Sequence, residues 1–420
     1  MRDWPLFPQP SGRFPEYMTQ TEKTAGSAPA PAPERADARG WAAVAAVAGA
    51  TFTVVTSEML PVGLLTPIGD SLNVSEGTAG LTLTVTGLVA AVSAPLLTPA
   101  FGRADRRMLL CVLMAVLTVG NLMAAWAPNF GVMMVARVLV GLGMGAVWAI
   151  AAGLAPRLVP AGSTGPATSL IFSGIAVASV LGVPAGTYIG ELADWRMAFV
   201  VIGGLALAVL VALAMLLPPL PGEERTRLGG VMGLVRNPQV ASGLLVVALL
   251  VTGHFAAYTY VRPVLEEVSD AEAGVIGTLL LVYGIAGVVG NFISGAGAGR
   301  SPRRTLLVIT AVLAVTAALV PLIGGSVLVA GVLLVTWGLS YGGVSVATQT
   351  WLLASSPEAR EAASSLFVGV FNGAIAAGAL AGGLAADGIG TTAVMWLGCG
   401  LAAAAFVAVA LGRAPETGRL

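Results

Sequence analysis

One carboxylate, Glu58 in TSEMLPVGLL, and one guanidinium, Arg137 in ARVLVGLGMGA, stand inside stretches otherwise apolar enough to cross a bilayer. A charge at that depth costs about 3 kcal/mol even on the lenient insertion scale, so such residues face protein or a water-filled cavity and mark ion or substrate paths. The chemistry open to the pair is proton transfer. Burial favours the neutral acid and a nearby guanidinium favours the anion, so a movement that changes their separation or hydration loads or unloads a proton. The blander reading is a static structural ion pair. His254, the single histidine, is a second titratable group, read first as a hydrogen-bonded structural residue or a substrate contact and second as a proton site. With Tyr258 and Tyr260 beside it, and with Trp148, Asn121 and Asn372, it outlines a substrate cavity. Asn291, Trp337, Tyr341 and Gln349 are further polar or aromatic positions at membrane depth, and about half of this set serves only to hydrogen-bond helices together.

The chain around these residues has 420 residues, 56% hydrophobic and 10% charged, with a net charge of zero; soluble proteins carry roughly 25% charged residues. The sequence is therefore that of a polytopic membrane protein with the lipid bilayer as a partner. A neutral balance excludes a nucleic-acid partner, which requires a basic face. Cys111 and Cys399 fall inside apolar stretches with no metal-ligand or redox spacing, and neither a metal nor a cofactor is expected. An intramembrane enzyme fares poorly, because there is no nucleophile and base arrangement and no phosphate-cradling loop. Gly141, Gly143 and Gly145 imitate a dinucleotide fingerprint only superficially, since no strand precedes them.

Cutting the chain at charges and turn residues leaves twelve stretches of about 20 residues, enough to span the hydrocarbon core: 42–68, 77–101, 108–127, 131–156, 166–190, 197–218, 240–263, 273–296, 305–323, 326–349, 362–385 and 389–411. The ninth and tenth are separated at the Pro321–Ser326 turn. The arginines at 35, 39, 103, 106, 107, 157, 225, 227, 236, 300, 303, 304, 360, 413 and 419 all fall on one side, and the opposite loops are acidic apart from Arg196 and Arg262. Positive charge stays inside, which puts both termini in the cytoplasm of a protein of the cell membrane. Residues 1–40, rich in Pro, Ala and charge, read as a disordered cytoplasmic tail, and no secretory leader is expected. Residues 41–218 and 240–412 read as two six-helix bundles joined by a cytoplasmic linker, 219–239, with 413–420 as a second tail. The fold class is all-α.

On these spans Glu58 lies about 15 Å and Arg137 about 12 Å below the same surface, at 1.5 Å per residue. Pro61 removes a backbone hydrogen bond one turn after Glu58 and bends the helix there. Gly174, Ala178, Gly182, Gly186 and Gly190 form one stripe that admits a neighbouring helix closely, with Pro184 allowing a bend; the spacing recurs at Gly369, Gly373, Ala377 and Ala381. GRADRRMLL from Gly102 is repeated as GRSPRRTLL from Gly299, an offset of 197 residues. Internal repeats of this kind mark secondary transporters. At that offset Glu58 corresponds to Phe255 and Arg137 to Leu334, so the first half handles protons and the second holds substrate.

These features together resemble the major facilitator superfamily. The basic loop TPAFGRADRRMLL, with Arg103, Arg106 and Arg107 and its repeat Arg300, Arg303 and Arg304, is similar to the family's loop signature, with Gly102 where an acid is usual and Asp105 as the remaining acid. ARVLVGLGMGA resembles the span-four signature, and SGIAVASVLGVPAGTYIG the antiporter signature of the drug:proton branch, among which chloramphenicol-resistance and sugar-efflux permeases look most alike. The resemblance implies alternating-access export of a small neutral or amphiphilic molecule, a drug, phenicol or sugar, in exchange for protons, by a monomer, with the span-five glycines as a gate. The alternatives are proton-coupled uptake of a nutrient and a non-transporting receptor or scaffold.

Overall fold

Apolar runs of this length satisfy their own backbone only as helices when they lie in lipid, and the regular elements of the computed structural model are all helices among the residues it describes, 38–100, 104–151, 154–160, 163–221, 234–356 and 360–412. Residues 1–37 and 413–420 of the expected tails, most of the linker and Arg103 lie outside the described residues, while 38–40 already belong to the first helix. The helices are α1 (Ala38–Met59), α2 (Leu65–Leu72), α3 (Glu76–Ala100), α4 (Arg106–Ala125), α5 (Phe130–Ala151), α6 (Ala155–Leu158), α7 (Thr164–Leu192), α8 (Trp195–Leu216), α9 (Pro238–Tyr258), α10 (Val261–Ser269), α11 (Ala273–Arg300), α12 (Pro302–Ile323), α13 (Val327–Tyr341), α14 (Val344–Ser355), α15 (Arg360–Gly388) and α16 (Ala393–Leu411). Among the described residues ten helical stretches are long and apolar enough to cross a membrane, the first being the whole of Ala38–Leu72. The turn between α12 and α13 is shorter than the sequence suggests. Pro321 sits within the last turn of α12, and only Gly324 to Ser326 leave the helix, with the Ser326 hydroxyl capping α13.

Caps explain where helices start at the arginine-rich end. The Asp105 carboxylate accepts from the Arg107 and Met108 amides at 2.8 and 3.2 Å, and from the Leu220 amide at 2.9 Å. The acid that the basic loop retains is thus the N-cap of α4, and it also ties that helix to the chain beyond α8. Ser301 caps α12, with Pro302 at the first helical position. Arg107 donates to the Ala214 carbonyl and Arg303 to the Ala410 carbonyl.

These pairings correct the repeat. Asp105 and Ser301, Arg107 and Arg303, and Ala214 and Ala410 are each separated by 196 residues, one fewer than the loop letters indicate. One residue is about 100° around a helix, so the correction changes which side chains correspond. Glu58 corresponds to His254, not to Phe255, and the TSE of the first half to the TGH of the second. Glycine packing agrees. Gly182 and Gly186 of α7 meet Thr56 and Leu60, whereas in the second half Gly378 and Gly382 of α15 meet Thr252 and Ala256. Gly369 and Gly373, which continue the spacing read in the sequence, have no neighbouring atom within 4 Å of an added Cβ. Substituting Gly378 by Val is therefore expected to lower thermal stability in detergent by about 1–3 kcal/mol, the range for overpacking. Gly373→Val is expected to leave the melting temperature within about a degree.

The buried apolar residues fall into two clusters. One, including Val44, Leu110, Met144, Leu154 and Leu213, is confined to the first half of the chain towards the arginine-rich end. The other runs from Leu60, Leu64 and Ile68 into the second half through Tyr260, Val264 and Trp337. The halves thus share a core near the acidic end. The close approaches between them reach about three helical turns inward, to Gly87 against Ala376 and to Gly284 against Val180.

Candidate functional site

Pro61 has no amide hydrogen, so the carbonyl four residues earlier, Ser57, loses its helical donor. Here α1 gives way to a short 3-10 turn, Leu60–Leu64, before the chain resumes as α2. Arg137, fully buried on α5, takes up the freed groups. Its Nη1 donates to the Ser57 carbonyl at 3.0 Å, Nη2 to the Glu58 main-chain carbonyl at 3.1 Å, and Nε to the Thr82 carbonyl at 3.0 Å. The expected neighbours do meet, but the guanidinium is held by main-chain oxygens and not by the Glu58 carboxylate. Glu58 is 3% exposed, and its Oε1 is buried without a hydrogen-bond partner. Asn121 braces this turn from α4, accepting from the Ser57 hydroxyl at 2.9 Å and donating to the Leu117 carbonyl. It supports the helix carrying Glu58. The glycine stripe of α7 packs on the same helix, as Gly174 faces Ala48 and Thr51, and Gly190 faces Leu64. Pro184 lies inside an unbroken α7 and leaves the Val180 carbonyl without its helical donor, where Gly284 comes closest.

At the equivalent place in the second half, His254 is the centre of an aromatic box. Its Nδ1 accepts from Trp337 Nε1 at 3.0 Å, which leaves the ring neutral with its proton on Nε2. Tyr341 stacks on it with ring centroids 3.3 Å apart and planes within 9°, Tyr258 stacks at 5.0 Å, and Tyr283 lies nearly parallel at 6.4 Å. Phe255 and Trp337 present their rings edge-on. The Tyr341 hydroxyl is buried and has no hydrogen-bond partner. Of the aromatic set read from the sequence, His254 and Tyr258 are in this box, Trp337 and Tyr341 join them, and Tyr283 and Phe255 were missed. Tyr283 is a single aromatic in the apolar run LLLVYGIAG, and no spacing singles it out. Tyr260 is elsewhere. Its hydroxyl donates to the Ala379 carbonyl at 2.8 Å, and its ring fills a hole between Gly80 and Gly383. Asn372 bonds the Val368 carbonyl of its own helix. Trp148 is on α5, with its side chain outside the described residues.

The acidic end is stitched across the two halves. Arg262 donates to the Gly63 carbonyl at 2.8 Å and pairs with Glu266 at 2.8 Å and Glu191 at 3.2 Å, while Glu266 accepts from Thr66 at 2.8 Å. Asp387 of α15 accepts from the Gly77 amide at 3.0 Å and the Ser75 hydroxyl at 2.6 Å, capping α3 from the opposite half. Tyr188 bonds Thr278 at 2.5 Å. Arg196 reaches Ser71 and the Ala127 carbonyl and lies over the Trp195 ring. Both basic exceptions among the acidic loops therefore have structural work at this end. The loop arginines Arg106 and Arg304, with Arg107, Arg300 and Arg303, stand at the opposite end of the helices, as the charge pattern requires.

Glu76 begins α3 outside the apolar stretch. Partial burial, followed by the carboxylates of Glu266, Glu267, Asp70 and Asp387, pushes its pKa up from 4.5 to about 7. A carboxyl whose pKa is raised in the sealed arrangement favours that arrangement when protonated. The preference is complete below about pH 4.5 and is lost as pH rises through about 7. Spin labels at Asn73 and Ile389 are expected to show the short distance gaining population from pH 7.5 to 5, and Glu76→Gln to flatten that dependence.

Helices of this length packed around buried, unpartnered polar groups and sealed at one end by inter-half bonds define a membrane transporter. The chain belongs to the Major Facilitator Superfamily, which it matches over residues 47–374. Among individual relatives, it is 34% identical to the purine ribonucleoside efflux pump NepI of Salmonella typhimurium over 361 residues, 86% of this chain and 91% of that protein. It is also 34% identical to the NepI of Salmonella enteritidis over 371 residues, 88% and 94% of the two chains. In fold it is similar to a mutant of the nucleoside transporter NupG, with a TM-score of 0.72 at 12% identity over 88% of this chain and 99% of that one. A bacterial homologue of the lysosomal transporter Spinster, in an inward-facing occupied conformation, gives a TM-score of 0.70 at 15% identity over 87% and 94%.

Proposed function

We propose that the protein exports purine nucleosides in exchange for protons by alternating access. Twelve spans form two six-helix bundles, residues 41–218 and 240–412. The two completing the ten apolar stretches are α3 and α5, with 25 and 22 residues. The arginine-rich end is cytoplasmic, so the sealed acidic end is external and the chain is poised to load substrate from inside. The single observation that carries the substrate class is the aromatic box around His254, because flat side chains stacked on a histidine suit a flat heterocycle. The NepI relatives are named for purine ribonucleosides, which narrows the drug, phenicol or sugar expected from the sequence. Glu58 is the proton site, and Arg137 holds the turn on which it stands. The working unit is a monomer.

Inverted membrane vesicles test this reading. With the interior made acidic, labelled inosine is expected to accumulate, and a protonophore to abolish the accumulation. Uptake that ignores the gradient rejects the antiport, and uptake of a sugar or phenicol in place of a nucleoside rejects the substrate class.

A further inference from the structure

Two prolines follow Glu58 on the way to the acidic end, and each orphans a carbonyl. Pro61 leaves Ser57 without its helical donor, and Pro67 does the same to Gly63, since neither ring nitrogen carries a hydrogen. The first orphan is served from within its own half by Arg137 at 3.0 Å, and the second from the other half by Arg262 at 2.8 Å. The break between α1 and α2, Leu60–Leu64, is thus pinned at both ends by guanidinium groups. Its side chains are all apolar and its residues all buried. The polar atoms this turn offers to water are therefore main-chain ones.

Arg262 is buried and holds three oxygens. Two belong to the first half, the Gly63 carbonyl and Glu191 at 3.2 Å, and one to its own half, Glu266 at 2.8 Å. Parting the halves at the acidic end breaks the first two bonds and leaves the third. Glu191 loses little, because its side chain is partly exposed and water replaces the guanidinium. The Gly63 carbonyl has no such reserve. Pro67 denies it a helical amide, and the Thr187 hydroxyl beside it is 3.4 Å away with its single hydrogen also drawn by the Val183 carbonyl at 3.0 Å. A main-chain oxygen at membrane depth has to be satisfied, so water takes the place that Arg262 vacates.

We infer that Arg262 is the external stopper of the proton path: while it holds the Gly63 carbonyl the turn stays dry, and when the halves part at the acidic end water replaces it and reaches Glu58 from outside. The inference rests on Glu58 as the proton site of the proposed exchange and assigns its external access to one residue. Gly63 is five residues from Glu58, about 8–10 Å at 1.5–2 Å per residue, a gap spanned by about three hydrogen-bonded waters. A hydronium at the inner end of that file gives its proton to the carboxylate and is left as water; no other bond changes. Arg137 keeps its three bonds throughout, because all its acceptors lie in the first half. The seal on the substrate and the seal on the proton therefore open together. Arg262 is a positioning residue that excludes water from the turn without touching the proton.

The test measures proton entry into proteoliposomes carrying the full chain, with a pH dye inside, a potassium diffusion potential as the drive and no nucleoside present. Flux is divided by the amount of protein inserted. Wild type is expected to be tight. Arg262→Met, and Arg262→Gln as a second variant with too short a reach for Gly63, are each expected to raise the flux at least tenfold, and Glu58→Gln added to either to return it to the wild-type level. Pro67→Ala, which restores an amide hydrogen four residues beyond Gly63, is expected to lower the flux of Arg262→Met at least threefold. Glu191→Gln, which cancels the ion pair between the halves and keeps the Gly63 bond, is expected to stay within twofold of wild type. Wild-type flux in both Arg262 variants, an equal rise in Glu191→Gln, indifference to Pro67→Ala or a rise that survives Glu58→Gln each overturns the inference and leaves the exchange standing. Inosine accumulation driven by a pH gradient, and its loss in Glu58→Gln, check the exchange separately; if they fail, the exchange is overturned and the inference with it.

Discussion

Glu58→Gln is expected to abolish nucleoside accumulation driven by a pH gradient in inverted vesicles, a loss of at least 100-fold, while leaving insertion and the melting temperature nearly unchanged. The structural side of this expectation follows from what the carboxyl group does not do. Its Oε1 makes no hydrogen bond, and the bonds that hold its turn together run through main-chain atoms of Ser57 and Glu58. An amide of the same shape disturbs none of them. It also removes an ionisable group from the membrane interior, which is energetically favourable. Exchange of nucleoside for nucleoside across the vesicle membrane is expected to survive, since it needs no proton. A variant that still concentrates inosine against its gradient rejects Glu58 as the proton site.

Arg137→Lys is expected to be the more damaging substitution for the protein as a whole. Three donors of one planar group reach carbonyls on two helices, at 3.0, 3.1 and 3.0 Å. An ammonium is a compact point charge that cannot present the same fork. Hydrogen bonds to charged groups contribute about 1.5–3 kcal/mol each, and leaving Ser57 and Thr82 carbonyls short of a donor in a buried site adds to the loss. The melting temperature in detergent is expected to fall by about 10 °C, against about 4–8 °C per kcal/mol in a small domain and less in a chain this long. Transport is expected to drop below a tenth of wild type even at low temperature. Near-normal stability with lost proton coupling gives the opposite result and assigns Arg137 to the proton step directly.

Much of this was legible in the sequence, for identifiable reasons. Spans and the segregation of arginine from acid are written in composition, because lipid tolerates neither charge nor unpaired backbone. Glu58 and Arg137 stood out by the same rule. The α7 stripe was readable because close helix packing requires small residues four apart, and its partner proved to be the helix carrying Glu58. The one-residue slip in the repeat arose in a loop, where matching letters constrain no register. Helix caps and glycine contacts do constrain it, and they turned an apparent loss of symmetry into the correspondence of Glu58 with His254. Tyr283 in the box was invisible for want of any pattern. The seam was hidden for a different reason: Arg262 finds its partners 199 and 71 residues away, in Gly63 and Glu191, and no local signal announces bonds of that range.

The grip of Arg137 on main-chain oxygen has a consequence for how such a protein can change over generations. Every amino acid at position 58 supplies the same carbonyl, so the arginine's attachment to that turn is indifferent to what side chain the gene encodes there. With Glu58 as the proton site proposed above, a lineage that exchanged it for a neutral residue is expected to keep its helix geometry and lose only the link to the proton gradient, turning a pump into a facilitator in one mutational step. The reverse step is equally short. On that proposal ancestry has a short path between downhill and uphill transport, kept open by an anchor that grips the main chain whatever the side chain at position 58.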